Sequence, residues 1–174
     1  MQLCTDCIIQ IVAYLDFDDI YNFLRASKII KNIVGNIKKL TIKSNSYTNN
    51  CLPFYRNVES IKIIINNCNY KLIDNLSKIR FKQLKEIIIT VNPYNNIVND
   101  LNKYRYFISS RKFTEFISIN NQIERITINN SYSISDFTIL SILKMCKNLK
   151  YINVKNCNCL TELSLTKINK ITVQ

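Results

Sequence analysis

The chain has 174 residues, 24 Lys+Arg against 12 Asp+Glu, one glycine, and neither histidine nor tryptophan. Without histidine, general-base work would fall to Asp, Glu, Lys or Cys, and a single glycine leaves nothing from which to build a phosphate-cradling loop. With no Gly-x-Ser-x-Gly elbow or paired-carboxylate motif either, the composition argues against an enzyme, and no cofactor is expected.

No apolar run approaches the roughly 18 residues that cross a bilayer, and the start lacks the basic region and long apolar stretch of a secretory signal. The expected location is therefore intracellular, in cytoplasm or nucleus, and the host's if the source is viral. The formal charge of +12 invites a nucleic-acid reading. It is offset by a bias to Ile, Asn, Lys and Tyr, which is the imprint of an AT-rich genome such as that of a giant DNA virus or a protist. The sequence also carries no helix-turn-helix, zinc-finger or RNP-like motif.

The amino end opens with helical periodicity. Ile8, Ile11, Val12 and Leu15 recur at i, i+3, i+4 and i+7, with Thr5 or Asp6 placed to cap the free N–H groups. Asp16-Phe17-Asp18-Asp19 ends that helix and starts a second, whose stripe is Ile20, Phe23 and Leu24. Ser27 can cap a third helix carrying Ile30, Ile33, Val34 and Ile37, and Gly35 stands where a left-handed C-cap is wanted. Three helices in about 35 residues are too few to bury a core alone. They must lean on the following segment, on a partner, or on both.

The residues from Leu3 to Ile20 and from Ala26 to Ile33 resemble an F-box: a Tyr14-Leu15-Asp16 turn, the acidic pair Asp18-Asp19, then Ala26-Ser27-Lys28 in register. Cys4 stands where the family usually has proline and Ile30 where it has tryptophan; both replacements are apolar. The resemblance implies a docking footprint for the Skp-type adaptor of SCF ubiquitin ligases, made by position from Leu3, Cys4, Ile8, Ile11, Leu15 and Ile30. The same spacing also fits a plain helical cap.

Behind this module an apolar-x-x-apolar-x-apolar template repeats. It falls on Ile37, Leu40, Ile42; Val58, Ile61, Ile63; Leu84, Ile87, Ile89; Ile123, Ile126, Ile128; and Leu149, Ile152, Val154. Further matches lie at Leu160, Leu163, Leu165 and at Ile168, Ile171, Val173. Most of these segments lead into Asn, Ser or Cys. The 26-residue spacing from Val58 to Leu84, and from Ile123 to Leu149, suits a repeat of one short strand, a turn and a helix. Helices are expected on Leu72, Ile73, Leu76 and Ile79, and on Phe137, Leu140, Ile142, Leu143 and Cys146. Residues 134–157, with Cys146 at a helix end, Asn148-Leu149 before the strand and Cys157 after it, resemble the cysteine-containing leucine-rich repeat.

The interval from Leu84 to Ile123 is 39 residues. It predicts an irregular repeat or insertion at about 93–121 with its own helix around Ile97 to Ile108. After Leu149 the intervals are too short for strand plus helix, which leaves strand and loop or a capping piece. Of the seven cysteines, Cys4-x-x-Cys7 and Cys157-x-Cys159 could each offer two thiolates. With no histidine and no second knuckle pair, the reading is reduced, buried thiols and no metal.

The fold class expected is α/β: an N-terminal three-helix F-box over residues 1–36, followed over 37–174 by a short, irregular leucine-rich-repeat solenoid with a parallel sheet. Alternation turns Lys39, Thr41, Lys43, Ser60, Lys62, Glu86, Ile88, Thr90, Arg125, Thr127, Asn129, Tyr151, Asn153 and Lys155 outward along that sheet. By resemblance, the chain is expected to be a substrate-recognition adaptor of an SCF-type (cullin-RING) ubiquitin ligase. Its outward strand residues would hold a substrate protein, an acidic one given Lys39, Lys43, Lys62, Arg125 and Lys155. The alternatives are a ubiquitin-independent repeat scaffold, in which the helical start is only a cap, and a basic nucleic-acid-binding solenoid.

Overall fold

The computed structural model describes residues 34–43, 55, 57–65, 71–92 and 110–172. It is mixed α/β. The strands are β1 (Lys39–Lys43), β2 (Ser60–Ile65), β3 (Glu86–Val91), β4 (Arg125–Asn129) and β5 (Tyr151–Lys155). The helices are α1 (Lys71–Leu76), α2 (Ser110–Ile119), α3 (Asp136–Met145) and α4 (Glu162–Thr172). The strands form one parallel sheet in sequential order. The register is unbroken: Leu40, Ile61, Ile87, Ile126 and Ile152 form one row, and Ile42, Ile63, Ile89, Ile128 and Val154 the next.

Those two rows are the buried face, and the apolar residues of the sequence template supply them. Ile61, Ile63, Ile87, Ile89, Ile126 and Ile128 are fully buried, each worth about 1.5–3 kcal/mol relative to exposure. The helices cover this face and pack in chain order, α1 beside α2, α2 beside α3, and α3 beside α4, with α4 also on β5. β-Branched side chains suit the strands, and parallel pairing is possible because each crossover between β2 and β5 carries a helix.

A turn recurs ahead of the strands. The N–H groups of Ile37, Leu84, Ile123 and Leu149 donate to the carbonyls of Val34, Phe81, Asn120 and Cys146, at 3.1, 3.2, 3.4 and 3.2 Å. The residues supplying those carbonyls are all buried, as is Tyr55, three residues ahead of Val58. One residue before the strand a second motif repeats. The carbonyl of Lys38 accepts from the N–H groups of Glu59 and Ser60, Glu59 from Lys85 and Glu86, Lys85 from Glu124 and Arg125, and Glu124 from Lys150 and Tyr151, all at 2.8–3.1 Å. Turn, shared carbonyl and strand thus recur as one unit.

Asn120 is fully buried and joins two of these units. Its Oδ1 accepts the Phe81 N–H at 2.8 Å, and its Nδ2 donates to the carbonyls of Ile79 and Phe116, both at 3.0 Å. Gln122 adds a bond from Nε2 to the Phe81 carbonyl at 2.6 Å. The Phe81 and Phe116 rings meet edge to face, centroids 6.4 Å apart. A buried amide with its acceptor and both donors engaged is tolerated in an apolar layer because no polar group is stranded.

Three sequence expectations change, and one helix was not among the expectations. The long interval carries its described helix at Ser110–Ile119, with Phe113, Phe116 and Ile117 buried, whereas the expected helix at 97–108 lies outside the described residues. In α3 the buried side chains are Thr138, Ile139 and Ile142; Phe137, expected in the stripe, is 73% exposed. Glu162–Thr172 is helical, so Leu163, Leu165, Ile168 and Ile171 do not continue the strand template. Ser164 and Ile168 face inward at helical spacing, while Leu163 and Leu165 are exposed. Gly35 is still helical and takes no positive φ. Among the described residues the left-handed positions are Asn130 and Asn156, at φ 59° and 54°, where asparagine is the residue best suited after glycine.

Candidate interaction face

The face of the sheet opposite the helices is built by alternation. All fourteen residues expected to point outward are exposed or half-buried in the strands. In register they form three rows: Lys39, Ser60, Glu86, Arg125, Tyr151; then Thr41, Lys62, Ile88, Thr127, Asn153; then Lys43, Ile64, Thr90, Asn129, Lys155. Ile64 was not among the expected residues, although the alternation of Ser60 and Lys62 already puts it on this face. Neighbouring strands are about 4.8 Å apart, so the described face spans roughly 19 Å across five strands.

Its electrostatics are uneven. Glu86 is the only carboxylate in the five strands, against Lys39, Lys43, Lys62, Arg125 and Lys155. Glu86 is engaged on both sides: Ser60 Oγ donates to its Oε2 at 2.7 Å, and Arg125 Nε lies 3.4 Å from its Oε1. The Arg125 guanidinium also sits 4.8 Å from the centroid of the Tyr151 ring, a cation–π contact. Arg125, expected to serve an acidic partner, is therefore largely committed within the face.

Along the rim where the strands begin, the charges alternate: Lys38, Glu59, Lys85, Glu124, Lys150. Lys38 Nζ pairs with Glu59 at 2.8 Å, and Lys150 Nζ with Glu124 at 2.7 Å. The hydrogen bond and charge of Lys38 hold the Glu59 carboxyl below the ordinary glutamate range; those of Lys150 do the same for Glu124, and Lys85 adds to both. This rim is largely self-compensated, three lysines against two glutamates, so most of the net positive charge of the sheet is carried by the face.

At the other end of the strands, Asn156 Nδ2 donates to Asn130 Oδ1 at 2.9 Å, and the Asn130 N–H to the Lys155 carbonyl at 2.8 Å. Asp136 accepts from the N–H and hydroxyl of Thr161 at 2.9 and 2.7 Å, tying α3 to the start of α4. Of the described cysteines, Cys146 is buried, and burial pushes its thiol up to about 11. Cys157 is likewise raised by burial, whereas Cys159 is exposed. Among the described residues no group of three or more His, Cys, Asp or Glu is arranged to hold a metal ion. The expected docking residues Leu3, Cys4, Ile8, Ile11, Leu15 and Ile30 lie outside the described residues.

A family model for the F-box domain matches residues 1–41, a span ending inside β1. Comparison with curated proteins and with solved structures gave no match. F-box domains in general bind Skp-type adaptors, and the match suggests an SCF adaptor role at that general level.

Proposed function

We propose that the chain is a substrate-recognition adaptor of an SCF-type (cullin-RING) ubiquitin ligase. Its F-box would dock on the Skp-type subunit through Leu3, Cys4, Ile8, Ile11, Leu15 and Ile30, and the open sheet face would hold a substrate protein. The observation that carries this reading is the F-box match running directly into a parallel sheet. In that sheet the turn before the strand recurs, and the described helices cover one face. We read the sheet as a short, irregular leucine-rich-repeat solenoid. Repeated turn–strand units advancing in sequential order are what such stacking produces, and they leave one continuous surface for a partner.

Adaptors of this kind act by proximity: the chain transfers nothing itself and holds its substrate within reach of a bound ubiquitin-charged enzyme. That role requires no general base, metal or cofactor, and it is an intracellular one. The test is co-purification with a recombinant Skp-type adaptor. Retention is expected, and it should fall at least tenfold in an Ile11→Asp, Leu15→Asp double variant that keeps the native circular dichroism spectrum, since each change would put a charge into a desolvated contact. No retention of the unsubstituted chain would overturn the reading.

A further inference from the structure

The cations of the open face are not spread evenly. Lys39 and Lys62 lie on β1 and β2, exposed, with exposed Lys43 on the same side. The first carboxylate met across the sheet is Glu86 on β3, already held by Ser60 and Arg125. Beside Lys62, along and across the strands, are Ile64 and Ile88, two half-buried isoleucines on the outer face. An isoleucine pair on the side of the sheet that the described helices leave open adds nothing to the buried core and keeps apolar surface in water. Beyond β3 the face changes character, to Thr127, Asn129 and Asn153, with the Arg125–Tyr151 pair closed on itself and Lys155 at the far edge.

We propose that the β1–β3 half of this face receives an acidic segment of a protein in which one apolar side chain is followed by carboxylates. The apolar side chain would lie on Ile64 and Ile88, and the carboxylates on Lys39 and Lys62. This deepens the substrate-holding role above and rests on it. The geometry sets the pattern. Strands are about 4.8 Å apart and alternate residues on one strand about 6.6 Å apart, so Lys62 lies roughly 5–7 Å from each isoleucine at the backbone, and Lys39 about 8 Å from Lys62. An extended segment repeats its same-side side chains at nearly that interval, which gives apolar-x-acidic-x-acidic crossing from β3 toward β1. A nucleic-acid strand fits less well. The cations follow no continuous track, since Arg125 is held by Glu86 and Tyr151 and Lys155 stands apart on β5, and the tyrosine available in the strands for stacking is under Arg125.

The probe is a fluorescein-labelled peptide, Gly-Ser-Leu-Ser-Glu-Ser-Glu-Ser-Gly, titrated with the full chain and read by fluorescence anisotropy without any adaptor subunit. A Lys39→Glu, Lys62→Glu double variant is expected to lose at least about tenfold in affinity, and Ile88→Ser roughly fivefold. Lys62→Arg should retain binding. Lys155→Glu should change it less than about twofold, because β5 lies roughly 14 Å from β2, beyond the screening length of about 8 Å at physiological salt. Circular dichroism confirms folding of each variant, and these positions leave the core untouched. Failure of the peptide to bind, an equal loss in Lys155→Glu, no loss when its leucine is replaced by serine, or tighter binding of a duplex 20-mer would overturn the proposal. Because no adaptor is present, each of these results stands apart from the co-purification test.

Discussion

Replacing Asn120 by alanine should cost a large share of the stability of the sheet. The side chain is fully buried and satisfies the Phe81 N–H and the carbonyls of Ile79 and Phe116. In Asn120→Ala the Phe81 donor loses its acceptor in a dry site, a loss of about 1–3 kcal/mol. The two carbonyls, each with a second lone pair, lose less, and the vacated volume adds a cavity penalty. Together these make about 3–4 kcal/mol, against a total of roughly 5–15 kcal/mol for a domain. A fall in Tm of roughly 10 °C is the corresponding shift for a chain of this size. Asn120→Asp keeps the shape but turns an acceptor toward two carbonyls and buries a charge. At neutral pH it should be at least as damaging, with partial recovery in acid, where a protonated carboxyl can donate. Urea unfolding followed by circular dichroism and tyrosine emission suits a chain with ten tyrosines and no tryptophan. A loss below about 1 kcal/mol in Asn120→Ala, or an Asp variant as stable as the native chain at pH 7, would refute the role given to this amide.

The alternating rim predicts a pH effect of known sign. The Glu59 and Glu124 carboxyls are lowered by Lys38 and Lys150, so their contribution is present above the ordinary glutamate value and is lost as the pH falls through the lowered one. A Glu59→Gln, Glu124→Gln variant should therefore lose stability at neutral pH and show a flatter acid limb in urea midpoints taken from pH 7 to pH 3. Thiol chemistry offers a second check: native protein treated with a maleimide near pH 7 should be labelled at exposed Cys159 well before Cys146, whose thiol burial raises to about 11. Peptide mass mapping reads the order, and early labelling of Cys146 would contradict its placement.

The five strands were readable because the same phase of alternation, apolar inward, repeats in each, and a one-residue slip would have exposed every isoleucine. The outward rows were readable for the same reason, Ile64 alone being missing from them. Helix α2 was not, although Phe113, Phe116 and Ile117 have helical spacing, because it falls in an interval of 39 residues, longer than the 26-residue repeat that sets where a helix is expected. Leu160, Leu163 and Leu165 match a strand template by spacing, yet small Ser164 and Ile168 are what α4 buries. Apolarity and burial part company there, as they do at Phe137. Neither the charge ladder nor the clamp of Ser60 and Arg125 on Glu86 can be read along the chain, since both exist only once neighbouring strands are set side by side. The F-box match and the resemblance that anticipated it rest on residues 1–41, most of which lie outside the described structure.

The pre-strand turn has a consequence for how such a chain can vary. One position hosts Val34, Phe81, Asn120 and Cys146, an aliphatic, an aromatic, an amide and a thiol, and the carbonyl of each accepts the same turn hydrogen bond. Adjacent strands are joined equally well across 26 residues, as from Ser60 to Glu86, or across 39, as from Thr90 to Asn129. The register of the sheet thereby tolerates a longer crossover and a changed side chain at the turn, so the outer rows can vary independently of the frame that displays them.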